Sequence, residues 1–128
     1  MERSTPPPPP SDEDRAAAER IERARDEAER LAASLTRLWD GVVDAAAGTN
    51  NDDEHDPEGA TIAFEREQLR ARRDQVRAEL DALNLAAERL REGRYRVCER
   101  CGGPIAPGRL EARPTARTCV ECAARTRR

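Results

Sequence analysis

All four cysteines of this chain fall between positions 98 and 122, as two Cys-x-x-Cys pairs, Cys98/Cys101 and Cys119/Cys122, with 17 residues between the pairs. This is the spacing of a tetrahedral structural zinc site, because two intervening residues let both sulfurs of a pair reach one ion while backbone N–H groups point at the first sulfur. Gly102 and Gly103 follow Cys101 and can supply the positive φ that such a knuckle needs. Two disulfides in a secreted module, or a redox Cys-x-x-Cys, are the competing chemistries. The first calls for an export signal, and the second for a single pair in a βαβ setting. Neither signal is present, and four thiolates leave no open coordination position, so the site reads as structural and closed around one Zn²⁺.

The elements that must position this site are helical. One Trp, one Tyr and one Phe among 128 residues, with 37% apolar and 38% charged residues, cannot build a large globular core but suit long solvated helices. The expectation is a mainly α protein: a long antiparallel helical hairpin (coiled coil) followed by a small four-cysteine zinc-ribbon or zinc-finger module. No apolar run is long enough for a membrane span or signal peptide, which predicts a cytoplasmic protein with reduced thiols. All 23 basic residues are Arg. The net charge of −3 conceals an asymmetry: residues 1–60 carry 16 acids and 7 Arg, residues 61–128 carry 10 acids and 16 Arg. So acidic a half argues against duplex DNA as the main partner.

Residues 1–10 read as a tail, with Pro6–Pro10 a stiff polyproline spacer and a proline-motif ligand the weaker alternative. Ser11, followed by Asp12, Glu13 and Asp14, is a helix N-cap with acids matched to the helix dipole. The helix it opens should run to about Ala47. Its heptad places Ile21, Ala28, Leu35 and Val42 at one seam position and Ala24, Leu31, Leu38 and Ala45 at the other, with Trp39 on the flank. Residues 48–57 form a polar break, and Asp56-Pro57 reads as a second N-cap with Pro at the first helical position. The second helix should end near Arg91, stopped by Gly93. Its seam is Ile62, Leu69, Val76, Leu83 and Leu90, paired with Arg66, Arg73, Leu80 and Ala87.

The two registers close about residue 54, which predicts a monomeric hairpin of residues 11–93, with a tip loop at 48–60 and arms of roughly 45 Å. Arg66 and Arg73 should snorkel over the seam toward nearby acids. The tip carries Asp52, Asp53, Glu54, Asp56 and Glu58. Such a cluster must be solvated, paired with a basic partner, or turned toward a divalent cation held elsewhere. His55, the sole histidine, is expected at the surface. In the module of residues 94–128, the segment 104–116 has room for a two-stranded turn around Pro107-Gly108, and the second knuckle should open a short Arg-ended helix. There is no nucleophile with a base, no phosphate loop and no open metal site, so no enzymatic activity is expected.

Cys98-x-x-Cys101-Gly102, then Leu110-Glu111-Ala112-Arg113-Pro114-Thr115-Ala116, then Cys119-x-x-Cys122 resembles the signature of the DksA/TraR family of bacterial zinc-finger transcription regulators. The resemblance is close over residues 94–122 and architectural before them. It implies a protein that binds RNA polymerase rather than DNA and inserts its hairpin into the secondary channel, with the tip carboxylates Asp52, Asp53, Glu54, Asp56 and Glu58 near the catalytic centre. The family's tip motif, Asp-x-x-Asp-x-Ala, here reads Asp56-Pro57-Glu58-Gly59-Ala60-Thr61, with Gly in place of the second Asp. Basic residues by which some members help to bind the alarmone ppGpp have no counterpart at Glu79, Asp81 and Ala82 or at Ala123-Ala124, so alarmone sensitivity is not expected. The other functional reading is a zinc-ribbon adaptor or nucleic-acid-binding module that uses the Arg-rich C-terminal end.

Overall fold

A computed structural model describes residues 8–47 and 57–126. It contains four helices: α1 (Asp12–Ala47), α2 (Pro57–Arg91), α3 (Pro107–Ala112) and α4 (Val120–Thr126). Among the described residues there is no strand, only a single antiparallel bridge between Val97 and Pro104. No described helix is long and apolar enough to cross a membrane. Helices α1 and α2 form the hairpin. The chain divides into two compact units, one of residues 1–24 with 83–128 and one of residues 25–82.

In the first unit, both helix ends follow from local chemistry. Asp14 N–H donates to Ser11 Oγ (3.1 Å), an amide that the first turn would otherwise leave without a partner, while Arg15 N–H donates to Ser11 O (3.0 Å) as the first intrahelical bond. At the other end, Gly93 adopts φ 75°. Gly93 N–H reaches Leu90 O (3.2 Å) and Arg94 N–H reaches Arg89 O (2.9 Å), the paired bonds of a Schellman cap that only a left-handed residue allows. The core of this unit holds Ala17, Ile21, Leu83 and Ala86 from the hairpin helices and Tyr95, Ile105, Leu110 and Ala116 from the finger. Each large aliphatic side chain so buried contributes about 1.5–3 kcal/mol.

The segment 104–116 departs from the expected two-stranded turn. Pro107 sits at the start of α3, where its fixed φ and missing N–H cost nothing, and the helix buries Leu110. Arg109 Nε donates to Thr118 O (2.8 Å), and Tyr95 OH donates to Pro114 O (2.8 Å), which fixes the chain on either side of the turn that leaves α3. The second knuckle opens α4, whose last turn carries Arg125.

In the second unit the seam is narrower than the heptads predict. Ala28, Leu35 and Val76 are buried, but Leu31 and Leu38 remain 41% and 56% exposed. Ala32 and Trp39, each one position further on, are partly buried instead. A straight α-helix advances about 20° per heptad relative to a 3.5-residue repeat, so a stripe that starts at Ile21 and Ala24 drifts toward Ala32 and Trp39. The arginines at the seam also behave differently from expectation. Arg66 and Arg73 lie over the Trp39 ring, at 5.4 and 5.1 Å from its centroid, rather than reaching out to acids, and Arg70 joins them at 5.8 Å while also pairing with Glu67 (3.4 Å).

Candidate metal centre

The knuckle geometry brings the four sulfurs together. Cys98 N–H donates to Gly103 O (2.8 Å), and Gly102 N–H donates to Cys98 O (3.0 Å), closing a turn that Gly102 enters with φ 73°. Gly103 N–H then points at Cys101 Sγ (3.4 Å). Across the site, Cys119 N–H donates to Cys98 Sγ (3.3 Å), so the second knuckle is fastened to the first through a sulfur. Arg117 O accepts from Glu99 N–H (2.9 Å) and joins the two loops a second time.

All four Sγ atoms lie within 4.8 Å of one another, with Cys101 and Cys119 at 3.9 Å. Zinc–sulfur bonds of about 2.3 Å in a tetrahedron require sulfurs about 3.8 Å apart, so the cluster has the dimensions of a zinc site. A disulfide needs about 2.05 Å, and all four cysteines are free thiols. Cys98 and Cys122 are buried, Cys119 is half-buried, and Cys101 faces solvent.

The electrostatics fit a dication. Cys98 is lowered to about 6, first by the hydrogen bond from the Cys101 amide and then, against the cost of burial, by the amides of Cys119 and Arg100. Cys122 is pushed up to about 12 by its hydrogen bond with Cys119, by burial and by the remaining thiols. Four sulfurs this close cannot all ionise alone; Zn²⁺ removes that conflict, and the protein binds one zinc ion through Cys98, Cys101, Cys119 and Cys122.

Three side chains secure the finger within its unit, and the sequence reading passed over all of them. Arg89 is buried; its guanidinium donates to Arg94 O (3.0 Å) and Val97 O (2.8 Å) and lies 3.6 Å from Glu99. Its signal is the second stripe of α2, Ala82, Ala86 and Arg89, where small residues leave room for a neighbour. Arg96 bonds Asp14 (2.7 Å) and approaches Glu13 (3.9 Å). That contact holds the Asp14 carboxyl below the usual carboxylate range. Tyr95 is the third; burial raises its phenol above its ordinary value.

Of the sequence-predicted site residues, the structure thus gathers the four cysteines. Asp52, Asp53, Glu54 and Asp56, and the expected surface residue His55, lie outside the described residues, and Glu58 belongs to the first turn of α2.

Comparison with known proteins agrees with this site. Residues 93–128 match the prokaryotic dksA/traR C4-type zinc finger. The RNA polymerase-binding transcription factor DksA of Caulobacter vibrioides (strain NA1000 / CB15N) is 43% identical over 56 residues, which cover 44% of this chain and 39% of that protein. An uncharacterized protein of Aquifex aeolicus (strain VF5) is 44% identical over 46 residues, 36% of this chain and 32% of its own. Among solved structures, transcription factor DksA2 from Pseudomonas aeruginosa superposes with a TM-score of 0.52 at 26% identity, covering 84% of this chain and 83% of that one. The curated relatives are therefore matched over less than half their length, whereas the structural likeness covers 84% of this chain and so takes in the hairpin. The finger of residues 93–128 is thus similar to the DksA/TraR C4-type zinc finger, and the chain as a whole resembles DksA2 in fold.

Proposed function

We propose that this protein is a transcription regulator that binds RNA polymerase and inserts the hairpin tip into the secondary channel to modulate initiation. The observation that carries this reading is the joint occurrence of finger and hairpin over 84% of the chain in the likeness to DksA2. A relative named as an RNA polymerase-binding transcription factor supports it. Physically, a helical pair is narrow enough to enter a channel, and carboxylates at its end would be drawn toward a catalytic Mg²⁺. The finger and the adjoining helix ends provide docking surface, while Asp52, Asp53, Glu54, Asp56 and Glu58 act by charge.

The test is binding to core polymerase together with transcription in vitro. Asp52, Asp53 and Asp56 changed together to Asn keep turn preference and an acceptable N-cap but remove three charges. The expected result is a folded variant that binds polymerase normally and has lost its effect on transcription. An unchanged effect would mean that the tip acts by steric plugging.

One feature favours the second reading, a nucleic-acid-binding or adaptor module. Arg100, Arg109, Arg113 and Arg117 line an open depression of about 680 Å³ in the finger unit. Stronger binding of the parent to DNA than to core polymerase would select that reading.

A further inference from the structure

In the second unit, one indole gathers three cations. Arg66, Arg70 and Arg73 stand at i, i+4 and i+7 on α2, a single stripe, and all three guanidinium carbons lie within 6 Å of the Trp39 ring. Among the described residues, only Arg70 has a carboxylate at hand, Glu67 at 3.4 Å. Arg73 Nε is buried without a hydrogen-bond partner. Three like charges around one ring repel one another, and the ring's quadrupole offsets only part of that. The cluster also faces outward: Arg66 and Arg70 are exposed, and Trp39 and Arg73 are half-buried. A stabilising layer needs one stacked arginine, and two more on the same ring leave fork-shaped donors without acceptors.

We infer that this Trp39–arginine cluster is a protein-docking surface for a carboxylate-bearing face of the partner. The inference rests on the polymerase reading above and names the chemistry of one contact in it. Two observations select a protein over a phosphate backbone. Over residues 36–47 and 60–75, five Arg are interleaved with five acids, so the stretch lacks the net positive charge that phosphates require. Trp with Arg is also the composition that carries binding energy at protein interfaces, where a planar guanidinium already stacked on a ring loses little freedom when it takes a carboxylate in bidentate fashion.

The experiment uses the full chain and core RNA polymerase, with affinity measured at two salt concentrations and a thermal melt as folding control. Arg66→Gln with Arg70→Gln should weaken binding roughly tenfold and flatten its salt dependence, with the melt lowered only slightly because both side chains are exposed and Arg73 still covers the Trp39 ring. Arg23→Gln with Arg30→Gln removes the same charge elsewhere and should bind within about twofold of the parent. If both double variants weaken binding alike, or neither does, the cluster is not a docking surface, although the polymerase reading stands. If the parent itself does not bind core polymerase, that reading falls and this one with it. Loss of affinity for a single-stranded oligonucleotide in place of polymerase would overturn the protein partner.

Discussion

The finger unit and the unit of residues 25–82 are held together by different means. The first combines a metal centre, the buried aliphatics Ile21, Leu83, Ile105 and Leu110, and three long side chains that each tie separate segments together: Arg89, Tyr95 and Arg96. The second has a seam one residue wide, in which Ala28, Leu35 and Val76 are buried and arginines stack on Trp39. Stability in the first is redundant, because covalent-strength ligation and hydrogen bonds reinforce the packing. In the second it is spread thinly along two helices.

The largest break in this contrast is removal of the metal. Structural zinc contributes about 10–16 kcal/mol of apparent binding free energy in small fingers, far more than the few aliphatics of this module can. Chelation should release one zinc per chain and unfold α3 and α4 with the knuckles. Those helices hold 6 and 7 residues against 36 and 35 in α1 and α2, so circular dichroism should keep most of its helical signal. Acid should release the metal too, since protons compete for four thiolates. Intact near-ultraviolet and proteolytic signatures of the finger after metal loss would refute the assignment.

A smaller break is Arg89→Ala. The change leaves Arg94 O and Val97 O without their donors in a part-buried setting, at a cost of about 1–3 kcal/mol. Hydrogen exchange should show the loss concentrated in residues 94–105, with the unit of residues 25–82 unaffected. Uniform loosening along α1 and α2 would mean that Arg89 supports the hairpin rather than the finger.

How much of this was legible in the sequence depended on whether the signal was local. The Cys-x-x-Cys spacing, the Ser11 cap and the Gly93 stop each depend on a few neighbouring residues and were readable. The segment around Pro107-Gly108 was ambiguous, because the same dipeptide marks a turn or the first turn of a helix; burial of Leu110 decides for the helix. Arg89 was not readable as a buried anchor, because a charge is buried only when tertiary acceptors meet it, and those lie five and eight residues further on. The heptad gave one seam position, Ile21, Ala28 and Leu35, and misplaced the other.

That misplacement yields the smallest effects and the sharpest register test. Leu83 and Leu35 are 1% and 3% exposed, so each replacement by Ala creates a cavity and should cost about 3 kcal/mol, somewhat more at Leu83, which lies in the better packed unit. A register that closes about residue 54 sets Leu35 opposite Arg73, yet the structure turns Arg73 onto Trp39 and buries Leu35. Leu38, by contrast, stands at a nominal seam position but is 56% exposed. Removing a side chain already in water forfeits little transfer energy and leaves no cavity, so Leu38→Ala should change stability by less than about 0.5 kcal/mol. Thermal or urea denaturation of the three variants in the zinc-loaded protein gives the order Leu83, Leu35, Leu38. A loss at Leu38 equal to that at Leu35 would restore the strict 3.5-residue seam and remove the drift that brings Trp39 toward its three arginines.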